Sequence, residues 1–251
     1  MKMTLLGTGT SMGVPMLGCS CAVCLSSDPR NRRLRPSAWI EVGDRTLLID
    51  TGIDFRQQAL RYGIRRLDAI LFTHSHADHI LGLDDLRPFN QMQKQPVPCY
   101  GREDCLQEIR ITFRYAFPEK HSHDLPHMQL IPVEGPFSVF GLDILPVPVV
   151  HGSLSILGYR LGSMAYLTDV SAIPEESFAL LEGLSLLVLG ALRHKPHRKH
   201  FTVEQAVAAA QRIGARETYF THMCHHLDHQ ETDRSLPPGI HLAYDGLSLE
   251  V

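Results

Sequence analysis

The strongest constraint on this 251-residue chain lies in seven consecutive residues, Thr73-His74-Ser75-His76-Ala77-Asp78-His79. They follow directly on the apolar run Leu67-Asp68-Ala69-Ile70-Leu71-Phe72. Three imidazoles and a carboxylate fall within six positions. Gathering and desolvating them is costly unless they share a cation. Imidazole and carboxylate suit zinc, manganese or iron, so the cluster predicts an N/O metal site. The alternating spacing puts the ligands on a loop leaving a strand. Ligands on one helix face would stand three or four positions apart.

Partners of matching chemistry lie far along the chain. They are His151 after Val149-Val150, Asp169 after Tyr166-Leu167-Thr168, and His222 after Tyr219-Phe220-Thr221. Each follows a short β-prone run. Strand ends on a rigid scaffold can lift such side chains into one cleft.

The overall balance is that of a globular protein, 44% hydrophobic and 20% charged, with a net charge of -3. No long basic block is present, which disfavours a broad nucleic-acid footprint. The N-terminal apolar run is too short for a signal peptide, and the longest apolar runs, such as 184–191, are of strand length. We expect a cytoplasmic protein with no membrane span. Three of the six cysteines crowd into Cys19-Ser20-Cys21-Ala22-Val23-Cys24. In a reducing compartment that spacing points to metal binding. Cys99 and Cys105 read as ordinary cysteines.

The chain opens with strand-like 3–6 and a Gly-rich turn. Hairpin strands are expected at 38–42 and 45–49 around Gly43-Asp44. A helix is expected over 54–62, stopping at Gly63, and a short one after Asp78. Residues 113–129 read as an irregular insertion, a lid candidate. Strands follow near 137–140, 142–148, 165–167, 184–189 and 218–220. A helix starts near Pro174, and Thr202-Val203-Glu204-Gln205 is a capping box opening a helix to Ile213. With no linker or repeat, residues 1–251 read as a single domain. The pattern suits two packed sheets with helices outside. The Arg30–Arg35 run reads equally as a phosphate-facing segment or a solvated loop.

The ordered set His-x-His-x-Asp-His, His151, Asp169 and His222 resembles the metallo-β-lactamase superfamily, over nearly the whole chain. The resemblance implies an α/β four-layer αββα sandwich. It implies that His74, His76 and His151 hold one divalent ion, that Asp78, His79 and His222 hold a second, and that Asp169 bridges them, with zinc or manganese as the ions. Two such ions about 3.5–4 Å apart acidify a bridging water and clamp a phosphoryl group. Aspartate at the bridge is typical of the superfamily's phosphodiesterases, whereas β-lactamases often have cysteine there, so β-lactam hydrolysis is disfavoured. Asp50 in Asp50-Thr51-Gly52 corresponds to a superfamily aspartate that hydrogen-bonds near the ligands.

Within the superfamily, the cysteine loop resembles that of the PhnP-type cyclic phosphodiesterases. The resemblance implies a structural zinc on Cys19, Cys21, Cys24 and His225, with Cys224 and His226 as rival fourth ligands. It also implies His200 as general acid, while His194 and His197 read mainly as a solvated basic loop. The expected function is hydrolysis of a small, cyclic phosphodiester, with Asp78, Asp169 and His200 at the chemistry. The alternatives are a ribonuclease Z-like tRNA-processing enzyme, a thioester or lactone hydrolase, and a non-catalytic metal scaffold. The partner is a small molecule; the wider family often forms homodimers.

Overall fold

The computed structural model describes residues 1–119 and 124–250. In the first half the elements run β1 (Lys2–Gly7), β2 (Ser37–Val42), β3 (Arg45–Ile49), α1 (Phe55–Tyr62), β4 (Ala69–Leu71), α2 (Ala77–Ile80), α3 (Arg87–Gln93), β5 (Val97–Gly101), α4 (Glu103–Thr112) and β6 (Met128–Pro132). The second half contributes β7 (Phe137–Val139), β8 (Leu142–His151), β9 (Leu154–Leu161), β10 (Met164–Leu167), α5 (Glu175–Ala179), β11 (Leu186–Gly190), α6 (Val203–Ile213), β12 (Glu217–Thr221), α7 (His229–Ser235), β13 (Ile240–Leu242) and β14 (Ser248–Glu250).

These strands make two mixed sheets, β14-β1-β2-β3-β4-β5-β6 and β13-β12-β11-β10-β9-β8-β7. Each has an antiparallel part that becomes parallel, from β3 onward in the first sheet and from β10 onward in the second. Period-two alternation in apolar strands builds the layers. Leu47, Ile49, Ala69 and Leu71 meet Met164, Tyr166, Leu186 and Val188 between the sheets. On the opposite faces, Leu48 and Ile70 pack with Phe55, Phe89 and Ile109 of the helices, and Leu187 and Leu189 pack with Val203, Ala206 and Ala210 of α6. The result is the four-layer αββα sandwich expected from the sequence.

Local chemistry sets the element ends. Thr202 and Gln205 form both hydrogen bonds of the capping box, and Gly214 closes α6 in the left-handed conformation. Gly63 does the same for α1. Strand β9 was not evident in the sequence because Gly158 interrupts it. A Cβ there would lie 2.1 Å from a Leu167 methyl, so glycine serves close packing of β9 on β10. The 113–129 segment is less irregular than expected at its ends: Phe113 and Ala116 belong to the core and β6 begins at Met128. Its residues 120–123 lie outside the described residues. No helix among the described residues is long and apolar enough to cross a membrane.

What positions the site is strand direction. The C-terminal ends of β3, β4, β8, β10 and β12 carry Asp50, the 73–79 loop, His151, Asp169 and His222. Two bonds lash the sheets together beside it, Tyr159 Oη to the Phe72 carbonyl at 2.7 Å and Leu157 N to the Thr73 carbonyl at 3.0 Å.

Candidate metal centre

The structure brings all seven predicted N/O groups together. Ligating atoms of His74, His76 and His151 lie within 4.8 Å of one another, as do those of Asp78, His79 and His222. Asp169 joins the two groups. Its Oδ2 is 3.3 Å from His79 Nε2, its Oδ1 is 3.1 Å from His222 Nε2, and it also clusters with His74. The 73–79 segment is not all loop: α2 begins at Ala77, so Asp78 and His79 stand in its first turn. All of these side chains are buried except half-buried His76.

Backbone strain marks the centre. Asp50, Asp169 and His222 all have left-handed backbones, with φ of 59°, 57° and 57°. Among non-glycine residues this conformation is uncommon and clusters at functional sites. Here it turns each side chain off its strand into the common space.

Asp50 orients two imidazoles. His79 Nδ1 donates to Asp50 Oδ2 at 2.7 Å. Thr73 Oγ1 donates to the same oxygen at 2.7 Å and lies 3.0 Å from His74 Nδ1, while Thr73 N donates to Asp50 Oδ1 at 2.8 Å. On the other side His151 Nδ1 donates to the Lys199 carbonyl at 2.8 Å. These bonds leave the Nε2 atoms of His74, His79 and His151 facing the centre. Gly52 has a packing role rather than a turn role: a Cβ would lie 2.0 Å from the Asp78 carbonyl oxygen. Thr73 and the Lys199 carbonyl had not been singled out in the sequence, although Thr73 adjoins the motif.

The donor set fits divalent cations. His79 Nε2 and both nitrogens of His222 are buried without a hydrogen-bond partner. Burial opposes charge on His79, yet the carboxylates of Asp169, Asp50 and Asp78 hold its pKa well above the ordinary value. Burial works against ionised Asp169 too, but His222 and His79 hold it far below the carboxylate range. The three carboxylates therefore favour positive charge beside His79, while burial and the neighbouring imidazoles hold His74 and His76 below the ordinary value, as neutral donors.

His200 joins this cluster. Its Nδ1 is 3.8 Å from Asp169 Oδ1 and lacks a hydrogen bond, and its ring stacks on His222 at 4.8 Å. Burial, then the charge of His222, pushes its pKa down to about 3. His197 lies beside His200, with ring centroids 5.0 Å apart, while His194 pairs with Glu204 on the surface.

The cysteine loop meets one histidine. His225 Nδ1 lies 3.2, 3.5 and 3.6 Å from the sulfurs of Cys19, Cys21 and Cys24. Those four groups form one potential metal cluster, which excludes Cys224 and His226. The Cys24 amide and neighbouring thiols lower Cys21 to about 6, whereas burial lifts Cys24 to about 11. The arginine run is neither phosphate-facing nor simply solvated. Arg33 is fully buried and donates to the carbonyls of Cys224 and Leu227 at 3.0 and 2.8 Å, clamping the loop that carries His225. Arg35 and Arg30 pair with Asp54 and Asp28.

Residues 45–223 match the β-lactamase superfamily domain family. A crystal structure described as a new diphosphatase from the PhnP family is 50% identical, with a TM-score of 0.94, covering 100% of this chain and 97% of that one. Zinc-bound PqqB from Methylobacterium extorquens (21% identity, TM-score 0.81, 100% of both chains) and human short-form tRNase Z (18%, 0.74, 100% and 99%) share the fold. An octanoyltransferase of Porphyromonas gingivalis is 44% identical over 253 residues, covering 98% of this chain but 51% of that protein. The PQQ synthesis protein B of Methylobacterium nodulans is 29% identical over 123 residues, 43% of this chain and 40% of that protein. The chain thus spans about half or less of the length of these curated relatives.

Proposed function

Because the chain belongs to the metallo-β-lactamase superfamily and, within it, to the PhnP family, we propose that it is a dinuclear metal-dependent hydrolase of small phosphoric esters or anhydrides. The observation that carries this reading is Asp169, a carboxylate 3.1–3.3 Å from His222 and His79 and within 4.8 Å of His74 and His151, with His200 beside it. His74, His76 and His151 would hold one ion, Asp78, His79 and His222 the other, and Asp169 both. When bound, a zinc or manganese pair supplies an acidified water and neutralises phosphoryl charge. Cys19, Cys21, Cys24 and His225 would hold a structural zinc, the usual tetrahedral donor set.

The chain's own groups do the rest. Asp50 and the Lys199 carbonyl fix the imidazoles so that they cannot rotate away. His200 stands beside Asp169 and His222, held as a neutral imidazole at neutral pH by burial and by His222. An anionic phosphate beside it favours its protonated form, which can then give that proton to the departing oxygen. The substrates this reading favours are a phosphodiester, cyclic or open, and the diphosphate that the PhnP-family neighbour's description names.

The test is turnover of bis(p-nitrophenyl) phosphate, a 2′,3′-cyclic nucleotide and a diphosphate diester by metal-loaded protein. His200→Ala should slow the substrates with poor leaving groups by about 100-fold or more and spare p-nitrophenolate release, which needs no acid. Equal losses on every substrate would remove His200 from the acid role. A second reading, acyl thioester hydrolysis, is favoured by the relative named as an octanoyltransferase, and octanoyl thioesters belong in the same panel. Turnover of thioesters alone would replace the phosphoryl reading.

A further inference from the structure

Residues 193–200, Arg193-His194-Lys195-Pro196-His197-Arg198-Lys199-His200, contain four Lys/Arg and no acidic residue, in a chain of net charge -3. The loop is built rather than slack. Its base is closed by the Arg193–Thr202 bridge and by the bonds Leu192 N to Phe201 O (3.0 Å) and Val203 N to Arg193 O (3.0 Å). Arg193 spends its guanidinium on the Lys195 and Pro196 carbonyls, both at 3.1 Å. His194 is taken by Glu204. Lys195, Arg198 and Lys199 are exposed and form no ion pair among the described residues.

Three contacts tie this loop to the metal centre. The Lys199 carbonyl holds His151, and the Lys199 stem runs over Gly152, where a Cβ would come within 2.9 Å of its Cγ. The His197 ring stands 5.0 Å from that of His200. A single phosphodiester carries one negative charge, which the centre itself meets. Among the described residues Lys195, Arg198 and Lys199 have no acidic partner, and their loop carries both His200 and the carbonyl that holds His151.

We propose that the Lys195–Lys199 loop is a specificity clamp for a second phosphate, with Arg198 and Lys199 as its positioning residues, so that the preferred substrate class is a diphosphate diester rather than a lone phosphodiester. This deepens the phosphoryl-hydrolase reading and rests on it. Lys and Arg suit the task because their charge is permanent at neutral pH, and Arg can bind phosphate through two parallel bonds.

The experiment uses the metal-loaded protein and the double variant Arg198→Gln/Lys199→Gln, which removes both charges and keeps the Cβ–Cδ stem that packs over Gly152. Two readouts are taken: calorimetric binding of inorganic pyrophosphate against orthophosphate, and the ratio of kcat/KM for ADP-ribose to that for bis(p-nitrophenyl) phosphate. The variant should weaken pyrophosphate binding about tenfold relative to orthophosphate, consistent with the loss of two partly exposed charge contacts. It should also reduce the kcat/KM ratio by a similar factor through KM, and added salt should shrink both differences. Unchanged pyrophosphate selectivity with normal wild-type turnover would overturn the clamp and leave the phosphoryl reading standing. Selective loss of pyrophosphate binding in a protein that turns over neither substrate would support the clamp and overturn that reading.

Discussion

The two potential metal clusters are built in opposite ways. The cysteine group takes three of its four members from one six-residue loop, and its sulfurs are partly exposed except at Cys24. The histidine–aspartate group takes its members from the ends of four strands in two sheets, almost all buried. The first is a local motif pinned to the body by His225 and by Arg33 behind it. The second exists only once both sheets have closed on each other. A cluster assembled from distant strand ends needs hydrogen bonds to hold each ring, and Asp50, Thr73 and the Lys199 carbonyl provide them. The cysteine cluster takes three donors from the spacing of one short loop and needs the body, through Arg33, to place the fourth, His225.

That contrast should show most strongly at Asp169. Asp169→Ala is expected to abolish the binding of at least one active-site ion and lower turnover at least 1,000-fold, while the cysteine cluster keeps its metal; metal analysis beside kinetics checks this. Retention of both ions would refute the bridging role. Asp50→Ala touches no ion directly and should weaken the same site about 10- to 100-fold in metal affinity, measured by chelator competition. Loss of the cysteine-loop metal instead would reverse the comparison.

Cys21→Ser should do the converse, lowering the thermal midpoint by several degrees with a smaller fall in kcat, because a zinc held there would stabilise the 19–24 loop and the His225 segment. If turnover fell as far as in Asp169→Ala, the two clusters would have to be regarded as one cooperative unit.

The smallest effect concerns Asp245, which supports the cysteine side. It accepts from Thr8 N, Thr8 Oγ1 and Leu34 N, and the Thr8 carbonyl in turn receives Met223 N at 2.9 Å. Burial raises its pKa from 3.8 to about 7. A value raised by folding means the fold favours the protonated acid. Its contribution is full below about pH 4 and is lost as the pH climbs to about 7. The difference in urea midpoint between wild type and Asp245→Asn should therefore drift against wild type across that window. A pH-independent difference would show that Asp245 stays ionised on its three donors.

Much of this was legible in the sequence because the chemistry sits in compact motifs at strand ends. The hairpin, the α6 capping box and the clustered His, Asp and Cys motifs were visible as pattern, while the αββα sandwich and the place of His225 came from the resemblance those motifs carry. What was not legible depended on three-dimensional approach. Arg33 reads as one more surface arginine until the 224–227 carbonyls close over it. Gly52 reads as a turn until Asp78 is seen against it. The left-handed backbones of Asp50, Asp169 and His222 leave no trace in the sequence, because most aspartates and histidines have negative φ and nothing in the string marks the exceptions. The role of residues 120–123 lies outside the described residues.

His222 and His225 stand three positions apart, and each completes a cluster whose other members come earlier in the chain. During synthesis, His225 emerges 201 positions after Cys24. At roughly 5–20 residues per second, the three thiols wait about 10–40 s for their fourth partner. Over that interval the nascent chain is an open chelator. An ion taken up by the cysteine loop in that interval would be chosen by timing, from the metals on offer before the sandwich has closed.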